Sequence, residues 1–113
     1  MKVFVLIQVV NYEQATRNVS RARAGGADGV IFLSHDLRGS DLVDVFREVK
    51  DDNPEFNMGM NLLGMSCHVA SLLSEGSDLL WMDGYPKRDL GLDIPVLASL
   101  ALRDRELRKP LSE

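Results

Sequence analysis

The chain has 113 residues, 45% apolar and 27% charged, a balance typical of one soluble globular domain and unlike that of a disordered segment. Its 13 basic and 17 acidic residues give a net charge of −4 without a long basic block, which argues against a nucleic-acid-binding surface. No apolar run approaches the roughly 20 residues that span a bilayer, and the single Cys67 cannot form an internal disulfide, so the sequence favours a cytoplasmic location.

Four apolar runs along the chain predict β-strands. The first, from Val3 to Val10, is almost continuously apolar and rich in β-branched residues, which is typical of a strand covered on both faces in a parallel sheet. Each later run is bounded by glycine or polar residues that can end a strand. The predicted strands are 3–10, 29–34, 56–63 and 78–83.

The segments between and after these strands have the periodicity of amphipathic helices. Asn11 can cap the first helix, and a glycine pair can end it. The second helix has the clearest amphipathic pattern, with apolar residues at i, i+3, i+4 and i+7 from Leu42 to Val49, and either Ser40 or Asp41 can cap it. The predicted helices are 12–24, 41–52, 66–75 and 94–108.

Strict alternation of strands and helices predicts a single α/β domain over residues 1–113 with a parallel sheet. Four βα units are half of a (β/α)8 barrel, and an open flavodoxin-like parallel sheet is the alternative. An internal repeat favours the barrel, because 26–32 matches 76–82 at an offset of 50 and 5–10 matches 58–63 at an offset of 53. A two-unit period suits a barrel, in which alternate strands contribute alternate layers of the interior.

Position along the strands selects the candidate functional residues. In both architectures ligands bind beyond the carboxyl ends of the strands, where the loops gather side chains from several strands. The candidate catalytic residues are His35 and Asp83. The candidate ligand-binding residues are Gln8, Asn11, Ser34, Asp36, Asn61, Gly64 and Gly84.

Each catalytic candidate also has a purely structural interpretation. Histidine is a common general acid or base, and His35 lies beside Asp36, which could orient it, although such a pair in a loop is more often polar surface. Asp83 could act as a base or as one ligand of a hard cation, or it could form a turn with Gly84. The two histidines and Cys67 lack the spacing of a transition-metal site, and no motif identifies a cofactor.

Two amides stand out in the apolar strands. Gln8 and Asn61 are each the only strongly polar residue in their run, and the repeat places them in equivalent positions. A buried amide without a hydrogen-bond partner costs about 1–3 kcal/mol, so each must be bonded. They could bond each other or a neighbouring strand, or they could orient a hydroxyl or carbonyl group of a ligand.

Three segments resemble the first half of the BtpA/SgcQ-like family of TIM barrels, and more distantly the ribulose-phosphate-binding barrels. They are GADGVI at 26–31, MGMNLLG at 58–64 and GSDLLW at 76–81, within a resemblance that covers about residues 1–90. BtpA-like chains usually carry an acidic residue and Asn after the second strand, where this chain has Ser-His-Asp at 34–36. The phosphate site of the second group comes from loops after strands seven and eight, so it is not transferred to this chain.

Two functions follow as hypotheses. The first is a TIM-barrel-type enzyme, or half of one, that acts on a sugar-like, phosphorylated or nucleoside-like metabolite by acid/base chemistry at the strand ends. The second is a non-catalytic half-barrel that serves in assembly, or a remnant of a longer protein. Because a half-barrel leaves its first and last strands as bare edges, we expect a homodimer or higher oligomer formed through these edges.

Overall fold

The computed structural model describes residues 2–63, 70, 73, 75–82 and 96–98. All neighbouring strands pair in parallel, and their order across the sheet is the order of the chain. The α/β class and the parallel sheet predicted from the sequence are therefore confirmed. The elements are β1 (Phe4–Gln8), α1 (Tyr12–Ala24), β2 (Gly29–Leu33), α2 (Gly39–Asp52), β3 (Asn57–Asn61), β4 (Leu79–Met82) and β5 (Val96–Ala98).

The sequential strand order differs from that of a flavodoxin-like sheet, which is 2-1-3-4-5. Each described strand instead pairs with the next strand of the chain, so the chain advances in one direction across the sheet. Both described helices pack against the same face of this sheet. They have 13 and 14 residues, and neither is long and apolar enough to cross a membrane.

Local sequence signals fix both ends of α1, which has the predicted bounds. At its start, the Asn11 side chain accepts a hydrogen bond from the Gln14 amide at 2.8 Å, as expected of a helix cap. At its end, Gly26 has a φ of +87°, a left-handed conformation that glycine adopts without strain. The amide of Ala27 then reaches back to the Ala22 carbonyl at 3.0 Å, which completes a Schellman motif.

Helix α2 begins two residues earlier than the sequence predicts. Arg38 occupies the capping position without a side-chain hydrogen bond to the helix, so the prediction that Ser40 or Asp41 caps this helix is wrong. The chain turns early because the Ser34 hydroxyl accepts hydrogen bonds from two amides of the preceding loop. Asp41 instead lies in the first turn, where its carboxylate pairs with Arg38 at 3.5 Å on the surface.

The hydrophobic core lies between the two helices and one face of the sheet. Side chains alternate along each strand, so every second residue enters this layer. Phe32 of β2 and Phe46 of α2 meet there edge to face, with ring centroids 5.8 Å apart. The buried residues of the cluster are Ile7, Val9, Ala15, Val19, Val30, Phe32, Leu42, Val43, Phe46, Val49, Met58, Met60, Leu62, Ala70, Leu80 and Met82.

The internal repeat corresponds to two equivalent hydrogen-bonded connections at the amino ends of the strands. The Asp28 carboxylate accepts a hydrogen bond from the Val3 amide at 2.7 Å, and the Asp28 amide donates to the Val3 carbonyl at 2.8 Å. Asp78 makes the same two bonds with Met58, at 2.9 and 2.8 Å. Each aspartate follows, two residues later, a glycine with a φ of +87°. The segments that lead into β2 and β4 therefore have the same local structure.

The helix predicted over 94–108 is wrong at residues 96–98, which form β5. Val96 pairs with Leu80 and Ala98 with Met82, so this segment extends the sheet beyond β4. Its apolar and partly β-branched sequence suits a strand, and pairing with the buried β4 outweighs the helical periodicity of the wider segment. The remaining residues of the predicted helix lie outside the described part of the chain.

The other predicted elements differ from the structure mainly at their ends. The strands predicted over 3–10, 29–34 and 56–63 are each shorter by one to three residues, because the described pairing stops at Gln8, Leu33 and Asn61. Most of the helix predicted over 66–75 lies outside the described residues. Ala70, within that range, is buried against the core.

Candidate functional site

The candidate site lies at the carboxyl ends of the strands, on the face of the sheet opposite the helices. Residues next to the core positions face this side, because side chains alternate along a strand. The parallel register, continued by one residue between β2 and β3, places Gln8, Leu33, Asn61 and Trp81 side by side. We call these four residues the carboxyl-end row. Neighbouring strands are about 4.8 Å apart, so Gln8 and Asn61 are separated by about 10 Å.

The carboxyl-end row combines two amides with an aromatic surface. Asn61 is buried, with 2% of its surface exposed, whereas Gln8 is exposed and Trp81 is intermediate. Amides donate and accept hydrogen bonds, and an indole offers a flat apolar surface. Such a combination can hold a small polar molecule that has a planar or ring-shaped part.

The structure corrects the predicted equivalence of Gln8 and Asn61. The matching aspartate connections align Val3 with Met58, an offset of 55, so the counterpart of Asn61 is Leu6. Within the described residues, the Gln8 side chain makes no hydrogen bond, so the two amides do not bond each other. They nevertheless occupy the same row, because both are in register with Leu33 of β2, the strand between them.

The Ser34 side chain hydrogen-bonds only backbone groups. Its buried hydroxyl donates a hydrogen bond to the Val9 carbonyl at 2.7 Å and accepts from the amides of Asp36 and Leu37 at 3.1 and 2.9 Å. A hydroxyl has one donor and two acceptor positions, and all three are used. Ser34 therefore positions the loop after β2, and its hydroxyl has no remaining capacity for a ligand.

His35 and Asp36 lie in the loop that Ser34 holds, directly after β2. Both side chains are exposed, and among the described residues neither makes a side-chain hydrogen bond to the other. This arrangement leaves the imidazole exposed at the carboxyl end of the sheet. The sequence correctly indicated their location at a strand end, but the predicted orientation of His35 by Asp36 is not present.

Asn11 also has a structural role, as the cap of α1. Another polar side chain of this segment, Gln14, bonds the end of β1 at two points. Its amide nitrogen donates to the Gln8 carbonyl at 3.0 Å, and its amide oxygen accepts from the Val10 amide at 2.9 Å. We call this pair of bonds the Gln14 clasp. Sequence analysis missed it, because a glutamine on a helix gives no local signal of a contact with a strand.

The remaining predicted site residues, Gly64, Asp83 and Gly84, lie outside the described residues. Trp81 is a member of the row that the sequence analysis did not select. The alternation of side chains places it there, because Leu80 and Met82 are buried in the core and the residue between them faces the other side.

Charged residues form a separate cluster at the opposite, amino end of the sheet. The Lys50 ammonium group donates to the Phe56 carbonyl at 2.6 Å, to the Pro54 carbonyl at 3.2 Å and to the Asp78 carboxylate at 2.7 Å. Only 16% of the Lys50 side chain is exposed. Because every contact joins the end of α2 to the starts of β3 and β4, this cluster stabilises the fold.

Tyr12 and Asp52 connect the two helices. The Tyr12 hydroxyl donates to the Asp52 carboxylate at 2.5 Å, and this hydrogen bond is the main reason that the pKa of Tyr12 is raised above its ordinary value. Nearby, the Arg23 guanidinium bonds the Asn53 side chain at 2.7 Å and lies 5.1 Å from the centre of the Phe56 ring. These contacts lie on the helix side of the sheet, away from the carboxyl-end row.

Within the described residues, no group of three or more His, Cys, Asp or Glu side chains is close enough to hold a metal ion. The described residues of the row offer hydrogen bonding and stacking, and the exposed His35 lies at the same end of the sheet. No family model matches the chain, and no curated protein or solved structure matches it.

Proposed function

We propose that this chain is a TIM-barrel-type unit that binds a small polar metabolite at the carboxyl-end row and acts on it by acid/base chemistry. The observation that carries this proposal is the row itself, in which Gln8, Asn61 and Trp81 lie together at the strand ends. Ligands of parallel α/β proteins bind at this end of the sheet.

The half-barrel interpretation has two supports. The sequential strand order is that of a (β/α)8 barrel, in which each strand pairs with its successor. The duplicated connections at Asp28 and Asp78 give the chain a two-unit repeat, and alternate strands of a barrel contribute alternate interior layers. Membership of the BtpA/SgcQ-like barrels, which the sequence resembles, is part of this proposal.

Each residue has a distinct role in the proposed activity. Gln8 and Asn61 hydrogen-bond the hydroxyl or carbonyl groups of a sugar-like, phosphorylated or nucleoside-like ligand. Trp81 stacks on its ring. His35 transfers the proton, and Asp83 is the second acid or base.

The fluorescence of Trp81 provides a direct test, since it is the only tryptophan in the chain. We expect saturable changes in its emission on titration with ribose 5-phosphate or adenosine monophosphate. Asn61→Ala is expected to weaken binding at least tenfold. Asn57→Ala is the matched control, because Asn57 lies on the same strand and face but at the opposite end, where it is exposed.

His35→Ala separates catalysis from binding. If the proposal is correct, this change leaves the emission titration intact and abolishes turnover of whichever ligand binds. Equal effects of Asn57→Ala and Asn61→Ala, or the absence of saturable emission changes with both ligands, would contradict the proposed site.

A non-catalytic assembly role is the second candidate. It is favoured by the exposed apolar residues of β1 and its flanks, which are Val3, Val5, Leu6 and Val10. Apolar side chains on an edge strand are a common sign of an interaction surface. Under this proposal the carboxyl-end row binds no metabolite, and the oligomeric state is the property to measure.

A further inference from the structure

The outer edge of β1 has backbone groups without partners among the described residues. The Val9 amide donates to the Leu33 carbonyl, and the Val3 carbonyl accepts from the Asp28 amide, so the odd-numbered residues of this segment face β2. In a parallel pair the alternate residues point away from the partner. The N–H and C=O groups of Phe4, Leu6 and Gln8 therefore point outward from the sheet.

The Gln14 clasp covers this edge at the carboxyl end of β1. Its side-chain amide occupies the Gln8 carbonyl and the Val10 amide, much as the peptide group of a neighbouring strand would. The outward groups still available run from Phe4 to the Gln8 amide, and the residue at their centre is Leu6. A carbonyl oxygen has two lone pairs, so Gln8 can accept a second hydrogen bond.

The same edge is apolar on both faces. Leu6 is 52% exposed on the face opposite the helices, and Val5 is 37% exposed on the helix face. Natural edge strands usually carry charges or prolines that prevent pairing, and Phe4–Gln8 has neither. A groove of about 470 Å³ runs along the edge between β1 and α1, and its lining includes Leu6, Gln14 and Arg21.

We propose that β1 pairs antiparallel with β1 of a second copy of this chain, about a twofold axis at Leu6. An interface between identical patches must be self-complementary, and two identical edge strands related by a twofold axis run antiparallel. Leu6 then exchanges both backbone hydrogen bonds with its counterpart, and Phe4 pairs with Gln8 of the other copy. The two sheets become one continuous sheet.

Charge complementarity supports a second copy as the occupant. The axis brings the two α1 helices side by side in opposite directions, because α1 flanks the β1 edge. The acidic first turn of α1, with Glu13, then lies beside the basic end of α1 of the other copy, where Arg21 lines the groove along the β1 edge. Opposite charges and opposed helix dipoles both favour this arrangement.

The size of the contact predicts a weak dimer. Five paired residues give a strip about 17 Å long, and a sheet layer with its helix layer is about 20 Å deep, so the two copies together bury about 700 Å². Stable dimers generally bury more than about 1,200 Å². We therefore expect a dimer that forms and dissociates with concentration, independently of any catalytic activity.

Hydrogen exchange read residue by residue provides the test, using the 113-residue chain over a concentration series with sedimentation in parallel. The amides of Val5 and Ile7, which face β2, should be protected at every concentration. Those of Phe4, Leu6 and Gln8 should gain protection as the dimer forms. A chain that stays monomeric at millimolar concentration, or a dimer in which these three amides stay unprotected, overturns the proposal.

Two variant pairs complete the experiment. Leu6→Lys is expected to raise the dimer dissociation constant at least tenfold, whereas Val10→Lys, at a residue of similar exposure outside the paired segment, should leave it unchanged. Equal effects of the two would refute the axis at Leu6. If Leu6→Lys does not fold, disulfide cross-linking at position 6 tests the same axis. The native cysteine is first removed by Cys67→Ser.

The cross-link depends on the residues that face each other at the axis. In an antiparallel pair with both hydrogen bonds, the two α-carbons are about 5.5 Å apart, within the range of a disulfide. Leu6→Cys should therefore give a covalent dimer on oxidation. Val10→Cys should remain monomeric, and the reverse result overturns the proposal.

Discussion

Replacing Lys50 by Met should destabilise the protein substantially, although Lys50 is far from the candidate site. The methionine keeps most of the apolar stem of the side chain but removes all three hydrogen bonds of the ammonium group. The carbonyl of Phe56 then loses the ammonium donor, and the carboxylate of Asp78 keeps only its bond from the Met58 amide, at the junction of α2, β3 and β4.

The magnitude follows from the burial of the groups. A hydrogen bond to a charged group contributes about 1.5–3 kcal/mol when it is shielded, and Lys50 is only 16% exposed. The Asp78 side chain is 37% exposed, so water screens the ion pair and limits its share to about 1 kcal/mol. We expect the free energy of unfolding to fall by about 2–3 kcal/mol, because the three bonds share one donor and are not additive.

Urea unfolding followed by circular dichroism measures this loss, and at about 4 °C per kcal/mol the melting temperature should fall by about 8–12 °C. Lys2→Met is the control, because Lys2 is exposed and should change stability by less than about 0.5 kcal/mol. A double-mutant cycle with Asp78→Asn should give a coupling energy of about 1 kcal/mol. The reasoning fails if Lys50→Met costs no more than Lys2→Met.

Two further predictions test other parts of the fold. In a Tyr85→Phe background, where Tyr12 is the only phenol, its absorbance titration should have a pKa above about 10, because the Asp52 carboxylate holds the protonated hydroxyl. The stabilisation from this bond should be complete below pH 10 and disappear as the pH rises through the higher folded-state pKa; a titration at or below the ordinary value would contradict it. Gly59→Ala should lower the free energy of unfolding by about 1–3 kcal/mol, since its β-carbon would lie 2.5 Å from the Leu79 side chain and 2.7 Å from the Leu79 carbonyl; urea unfolding indistinguishable from the original chain would refute this packing.

The location of the candidate site was more predictable than the role of its residues. Gln8, His35 and Asn61 were selected by their positions at strand ends, where the structure has them. Ser34 was selected by the same criterion, but its hydroxyl bonds only backbone groups. Whether a polar side chain at a strand end faces a ligand or the backbone depends on which carbonyls and amides the neighbouring segments bring to it.

Trp81 is the opposite case, a residue of the row that the sequence did not select. Its strand, Leu79–Met82, is entirely apolar, and hydrophobicity alone predicts a core position. The alternation of side chains within the paired strand decides otherwise, because Leu80 fills the core on one face and Trp81 must lie on the other. The face of a fully apolar strand becomes known only when its neighbours are known.

The sequence by itself determined the elements whose signals lie within a few residues. Helix α1 has its predicted bounds because Asn11 caps it and Gly26 ends it, and both residues lie next to the helix ends that they determine. The parallel α/β class followed from the alternation of strands and helices. Tertiary structure decided the sequential strand order over the flavodoxin-like alternative, and it alone decided the strand at Val96–Ala98 and the pairing of Lys50 with Asp78. These features depend on which segments pair across tens of residues, and local patterns carry no information about partners at that distance.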